Sequence, residues 1–255
     1  MTYETLLVER RERVAIVRLN RPPANALDMR VCTELIAVLD ELEGDEAIEG
    51  MVLTGRTGMF SAGLDVIALF KLNREMMRLF WRRFCQTFIR LYTSPLVTAA
   101  AINGHSPAGG CVLALGCDLR IMADGEFKIG LNEVAVGLPV PPFLCRVHAA
   151  TVGQRNSESM LPYGVMSTPA EALMCGLVDG VLEPDQVLPH AIQHVEKRLK
   201  LPQAARSETK SNLRRQVLDP TEASVENEVD LLTTGWFSEE CQGVMGALVK
   251  RLTRL

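Results

Sequence analysis

Residues 100–115 read AAINGHSPAGGCVLAL, and the character of the chain changes twice within them. The apolar, β-type run LVTAAAI (96–102) stops at Asn103 and Gly104. His105, Ser106, Pro107 and Ala108 follow, then the pair Gly109 and Gly110, then CVLAL, an apolar run of helical character. A strand that turns through glycines into a buried helix leaves backbone N–H groups unpaired at the positive end of the helix dipole. Such a place suits an anion, either a phosphate or a carbonyl oxygen that becomes an oxyanion during reaction.

The flanking sequence repeats the alternation of strand, loop and helix. Residues 3–10 and 14–19 carry apolar and β-branched residues, and the charged RRER between them suits a hairpin turn. NRPPANAL (20–27) is a proline-rich loop. Asp28 suits the N-cap of a helix from Met29 to about Glu43, with Leu35, Leu39 and Leu42 at helical spacing. A short buried strand, GMVLT (50–54), leads into a second glycine-bearing loop, GRTGMFSAGLD (55–65). Residues 65–91 have a helical pattern whose bulky face (Phe80, Trp81, Phe84, Phe88) suits core packing or the wall of an acyl pocket. Strands are expected at 117–123 and 126–130, an apolar loop at 131–143, and helix from about residue 150 onward. This order of elements predicts an α/β fold with a parallel sheet covered by helices. A composition shift near Lys200 divides the chain into a core, residues 1–200, and a helical C-terminal region, residues 201–255.

The chain has 255 residues, 47% of them hydrophobic and 23% charged, enough for a substantial core. A net charge of −4 argues against a nucleic-acid surface. No apolar run reaches the roughly 18 residues of a membrane span. The first fourteen residues mix acids with bases and hold no apolar segment of a signal peptide, so the expected compartment is the cytoplasm. The seven cysteines are scattered without CxxC or histidine clustering, which predicts reduced thiols and no metal site.

Neither glycine loop matches GxxxxGK[ST], and no GxGxxG follows a strand, so the usual nucleotide cradles are unsupported. There is no GxSxG, and no obvious Ser or Cys nucleophile is assigned to any of His105, His148, His190 and His194; His105, in the glycine turn, is either functional or an ordinary loop histidine. What remains is two loops that can each present a backbone N–H, plus Glu133 in the apolar context IGLNEVAVGLPV (129–140). A carboxylate in apolar surroundings has its pKa raised toward neutrality, the tuning of a general base for a weakly acidic proton beside a carbonyl. A surface glutamate or a helix-capping acid is the other reading of the same residue.

The motifs NRPPANAL (20–27), VLTGRTGMFSAGLD (52–65), AAINGHSPAGGCVLALGCDLRIMA (100–123), IGLNEVAVGL (129–138) and STPAEALMCGLVDGV (167–181) stand in register with one known family. In them the chain resembles the crotonase (enoyl-CoA hydratase/isomerase) superfamily, and within it the mitochondrial-type Δ3,Δ2-enoyl-CoA isomerases. Beyond about residue 183 the likeness is only in helical character. The resemblance implies a crotonase-like spiral of ββα units with a helical C-terminal region, assembled as a homotrimer or a dimer of trimers. It implies an oxyanion hole formed by the N–H groups of Leu64 and Gly109 around the thioester carbonyl of an acyl-coenzyme A. It places Ala24, Ala26, Ala62 and Asp65 beside the coenzyme, with no cofactor other than the coenzyme carried by the substrate.

The hydratases of the superfamily use two glutamates to activate water. By resemblance the first falls on Val112, which carries no proton, and the second on Glu133. A single base can move a proton from C2 to C4 on one face of a dienolate, so an isomerase is expected. A hydratase and a non-catalytic acyl-CoA-binding relative are the alternatives. Lys210 is open to two readings, a contact with coenzyme phosphates in a neighbouring subunit or an ordinary solvated lysine.

Overall fold

The structure, a computed structural model, describes residues 2–253. The chain opens with an antiparallel hairpin, β1 (Leu6–Arg11) and β2 (Val14–Leu19), followed by helix α1 (Met29–Glu43). Asp28 caps α1 as expected, its Oδ1 accepting from the Val31 N–H at 3.0 Å. Three turns of a ββα spiral come next. The first is β3 (Gly50–Thr54), β4 (Gly58–Met59), and the helices α2 (Val66–Leu69) and α3 (Arg74–Thr93). The second is β5 (Val97–Ile102), β6 (Gly104–Pro107) and α4 (Gly109–Gly116). The third is β7 (Leu119–Ala123), β8 (Ile129–Gly130) and, after a 3-10 turn at Glu133–Val136, α5 (Pro142–Val152). The remainder is α6 (Gln154–Met160), α7 (Pro169–Met174), β9 (Gly180–Leu182), α8 (Val187–Arg198), α9 (Gln203–Arg214), α10 (Glu222–Trp236) and α11 (Glu239–Leu252).

The first strand of each turn enters a six-stranded sheet of order β1-β2-β3-β5-β7-β9, parallel except at the opening hairpin. The second strand of each turn enters a small parallel sheet, β4-β6-β8. Alternation along the large sheet divides the core in two. Met51, Leu53, Ala100 and Met122 join the main cluster with α1, α3, α4 and α10. Val52, Ala99, Ala101 and Ile121 face Val187, Ala191 and Val195 of α8. The aromatic face of α3 is core: Phe80, Trp81, Phe84 and Phe88 are buried, and Trp81 meets Trp236 of α10 edge-on at 5.9 Å. No helix among the described residues is long and apolar enough to cross a membrane.

Several local expectations are corrected. The helix pair of 65–91 runs on to Thr93, and Asn73 divides it by accepting from the Met76 N–H at 2.9 Å. The strand expected from residue 117 starts at Leu119, since Cys117 still closes the last turn of α4 on Ala114 O. The stretch 126–130 is strand only at Ile129–Gly130. The loop 131–143 holds the 3-10 turn and the start of α5, where Pro142 occupies a first-turn position with no N–H to satisfy. Finally β9, in a stretch read as helical, adds an edge strand beside β7.

Candidate active site

The small sheet builds the site. Its register pairs Gly58 with Gly104 and Met59 with His105. The same offset carried onward along both loops brings Gly63 against Gly109. A Cβ added to Gly63 would lie 3.2 Å from the Gly109 nitrogen, and one added to Gly109 would lie 3.3 Å from the Gly63 Cα. The N–H of Leu64 follows directly on Gly63, so the two proposed donors sit on backbones in contact. Among the described residues neither the Leu64 N–H nor the Gly109 N–H donates to a protein acceptor. Both are left for another oxygen.

Their neighbours are held firmly. The Leu27 N–H donates to Gly63 O at 2.7 Å and the Asp65 N–H to Leu27 O at 2.9 Å, so Leu64 is fixed from both sides with its own N–H free. Ser61 Oγ donates to Asn25 O at 2.7 Å and accepts from the Gly63 N–H at 3.2 Å. Gly63 has φ +82°, where a glycine is unstrained. On the other loop Ala108 takes φ 45° and ψ −117°, a conformation that side chains other than glycine rarely adopt. It is held by its N–H to Gly130 O at 2.8 Å and by its carbonyl, which accepts from Val112 at 2.9 Å. This bend turns the chain from β6 into α4, whose eight residues are all buried, and aims the dipole of the helix at its first residue, Gly109.

The third strand of the small sheet delivers the acid. Pro107 pairs with Gly130, and Glu133 opens the 3-10 turn three residues later. Glu133 is 8% exposed, and its Oε2 has no hydrogen-bond partner among the described residues. Burial pushes its carboxyl up to about 7, opposed only by its own backbone N–H. Its charge reaches the first turn of α4: after burial itself, Glu133 is the largest influence raising the Cys111 thiol. Val112, one residue further along, is 1% exposed and wholly aliphatic. The site therefore holds two free N–H donors and one carboxylate poised near neutrality, with no second acid on α4.

Ala24, Ala26, Ala62 and Leu64 are half-buried along one edge of this arrangement, tied by the Ala62 N–H to Ala24 O at 2.9 Å. Asp65 is engaged by the protein itself. Its Oδ1 caps α2 through the Ala68 N–H at 2.9 Å, and its Oδ2 pairs with Arg21 at 2.5 Å. Arg21 also donates to Ala26 O at 3.2 Å, so Asp65 holds Arg21 against the loop 20–27.

His105 lies on β6, where its Nδ1 accepts from the Lys128 N–H at 3.2 Å. Lys210 is neither solvated nor near the donors. Its side chain is 15% exposed, and its Nζ is held by Asp118 at 2.8 Å and Leu96 O at 2.7 Å. Two features were not legible in the sequence. His148 does have a hydroxyl beside it, Ser157 Oγ at 2.7 Å across the turn between α5 and α6. Glu228 of α10 is a second buried carboxylate, raised by burial, which accepts from the Phe143 N–H at 3.1 Å. Only the fold brings these pairs together. All seven cysteines are free, and no cluster of three metal-ligating side chains occurs among the described residues.

Comparison with known proteins adds to the geometry. The profile of the family described as enoyl-CoA hydratase/isomerase matches residues 9–252. Enoyl-CoA delta isomerase 1, mitochondrial, of Mus musculus is 40% identical over 220 residues, covering 84% of this chain and 76% of that protein. The crystal structure of human mitochondrial delta3-delta2-enoyl-CoA isomerase superposes with a TM-score of 0.95 at 34% identity, covering 98% of this chain and 99% of that one. A probable enoyl-CoA hydratase of Mycobacterium bovis, echA8, is 37% identical over 193 residues, 75% of this chain and 74% of its own. Both isomerases are named as mitochondrial, which overturns the cytoplasmic placement expected from the sequence. Leu6–Arg11 forms β1, so the composition near the N-terminus answers to sheet pairing and carries no information about compartment.

Proposed function

The chain belongs to the enoyl-CoA hydratase/isomerase family, and on that premise we propose that it is a Δ3,Δ2-enoyl-CoA isomerase acting through Glu133, Leu64 and Gly109. The thioester carbonyl oxygen of a 3-enoyl-CoA accepts hydrogen bonds from the Leu64 and Gly109 N–H groups. The Glu133 carboxylate takes a proton from C2, and the electron pair left behind spreads over the carbonyl and the C3–C4 double bond as a dienolate. The protonated Glu133 then delivers the proton to C4, the C2–C3 double bond forms, and the carbonyl is restored. Electrons and protons balance within one molecule, so the step needs no co-reactant. The two backbone donors act where negative charge develops, each contributing about 3 kcal/mol to transition-state stabilisation. A base near 7 is ionised enough to accept the C2 proton and acidic enough to return it.

The observation that carries this reading is one buried carboxylate beside the small sheet, Glu133, combined with an aliphatic residue at position 112, while the other buried carboxylate, Glu228, accepts from the Phe143 N–H. Water addition needs a second group to orient the nucleophile, and the Val112 side chain offers none. The coenzyme lies along Ala24, Ala26 and Ala62, with Asp65 holding Arg21 beside that path. The assembly is a homotrimer or a dimer of trimers. In support, Tyr163 (77% exposed), Leu173 and Met174 (83% exposed) are large apolar side chains left exposed, and Met174 borders a cavity of about 410 Å³ that Met160 and Val165 line together with Lys128 and Glu171.

The direct test mixes the protein with a 3-enoyl-CoA and follows formation of the 2-trans-enoyl-CoA. Turnover that Glu133→Gln abolishes is expected. Full-rate turnover in that variant, or dominant hydration of crotonyl-CoA by the wild type, would overturn the proposal.

A further inference from the structure

A second cavity, about 290 Å³, lies at the opposite end of the large sheet from the proposed active site. The active-site loops follow the C-terminal ends of β3 and β5. This cavity is lined instead by Leu96 and Asp118, which precede β5 and β7, and by Arg198 of α8 and Arg206, Lys210 and Arg214 of α9. The length of β5 alone separates the two ends by roughly 17 Å.

The ionic pairing around it does not close. Asp118 is shared by Lys210 at 2.8 Å and Arg214 at 2.6 Å. Glu49 is shared by Arg13 and by Arg206 at 3.2 Å. Two carboxylates thus serve four cations, and among the described residues the fifth, Arg198, has none: its guanidinium donates there only to His194, to Nδ1 at 3.1 Å and to the carbonyl at 3.3 Å. A neutral His194 is what that bond requires, and burial followed by the nearby His190 and Arg198 charges lowers its pKa. The Arg206 Nε is buried and has no acceptor among the described residues. A buried guanidinium N–H without an acceptor is costly unless an anion supplies one. Arg206 spends one terminal nitrogen on the carbonyls of Arg198 and Leu201 and the other on Glu49, so it offers a phosphate its Nε alone, whereas Arg198 engages only one terminal nitrogen and keeps the planar edge that matches two phosphate oxygens.

We propose that this cavity is a binding site for a phosphate group, held by Arg198 and Arg206 and distinct from the acyl-CoA site. Bound phosphate joins α8 and α9 to the N-terminal ends of β5 and β7, so it stabilises the packing of the C-terminal helices on the core. Two sources share this chemistry, free inorganic phosphate and the phosphate of a nucleotide such as adenosine 3′,5′-bisphosphate.

The test is calorimetric titration of the whole protein with inorganic phosphate and, separately, with adenosine 3′,5′-bisphosphate, each against chloride at matched ionic strength. The bisphosphate titration is repeated with the acyl-CoA site filled by a non-reactive acyl-CoA thioether. Saturable binding of either ligand that survives this filling is expected, with affinity reduced about tenfold or more in Arg198→Gln, the loss expected for one charge-assisted contact. Lys197→Gln removes the same charge from the exposed neighbouring position and should leave binding within about twofold of wild type. Tighter binding of inorganic phosphate assigns the site to the free ion, and tighter binding of the bisphosphate assigns it to a nucleotide phosphate. No saturable binding beyond the chloride control, or equal weakening by Arg198→Gln and Lys197→Gln, would overturn the site. Because no turnover is measured, failure here leaves the isomerase reading intact.

Discussion

Gly63 and Gly109 approach so closely that neither can carry a side chain without moving the other's backbone. A Cβ on Gly109 would come within 2.9 Å of Leu27 Cδ1 and 3.3 Å of the Gly63 Cα. Gly109→Ala is therefore expected to push the two loops apart and misalign the Leu64 and Gly109 donors. Loss of one oxyanion donor lowers kcat by about 100- to 1000-fold, while the overpacking costs about 1–3 kcal/mol of stability. Steady-state kinetics beside urea unfolding checks both, and a Gly109→Ala enzyme with wild-type kcat would remove Gly109 from the oxyanion hole.

Glu133 and Glu228 are both buried and both raised by burial, but only Glu133 is delivered by the small sheet that carries the two donors. Glu133→Gln should lower kcat by about 10²- to 10⁴-fold, the usual worth of a positioned general base. Glu228→Gln should leave most of the activity, because Glu228 caps α5 through Phe143. The base must be ionised, so kcat/KM should rise with pH and level off above about 7. A pH–rate profile on both variants decides the assignment, and a flat acid limb in the wild type counts against Glu133.

The exposed apolar side chain of Met174 leads to a prediction about assembly. Met174→Glu places a charge where two subunits would exclude water, and an unpaired charge at such a contact costs several kcal/mol. Light scattering behind size exclusion should show the wild type as a trimer or hexamer and Met174→Glu shifted toward monomer. A monomeric wild type would refute the proposed assembly.

Local chemistry made much of the fold legible. Asp28 announced α1 because a carboxylate that accepts from the N–H three residues on is a local event. The run 96–102 announced β5 because a strand buried on both faces reads as continuous apolar sequence. The sequence did not disclose that β4, β6 and β8 form a sheet, because strands of two to four residues have too little pattern to register. Yet that sheet is what sets Gly63 against Gly109 and puts Gly130, three residues before Glu133, beside Ala108. Pro142 hid the start of α5 for a similar reason, since a proline punctuates a loop and opens a helix equally well. Lys210, on an exposed-looking polar helix, was drawn inward by Asp118, a partner 92 positions away.

His148 and Glu133 make opposite demands on pH, and separating them yields the most distinctive prediction. The Glu133 carboxyl is raised from 4.5 to about 7 in the folded protein, so between those values the unfolded chain releases a proton that the folded protein keeps. Glu133 therefore makes stability fall as pH rises from 4.5 to 7, by at most about 3 kcal/mol. His148, buried against Ser157, is lowered by burial from 6.5 to about 4. Between 4 and 6.5 the unfolded chain binds a proton that the folded protein refuses, so His148 makes stability rise over that window by a similar amount. In the wild type the two slopes oppose each other from 4.5 to 6.5. Glu133→Gln should remove the falling limb, leaving a protein more stable than wild type at pH 8 but equal to it below pH 4.5. His148→Gln should remove the rising limb and gain relative stability as pH falls toward 4. Urea unfolding of all three proteins at half-unit steps from pH 4 to 8 reads these differences directly. Parallel curves for the wild type and Glu133→Gln would mean that Glu133 titrates in the folded protein as it does in the unfolded chain, and with that the case for a base tuned by burial would end.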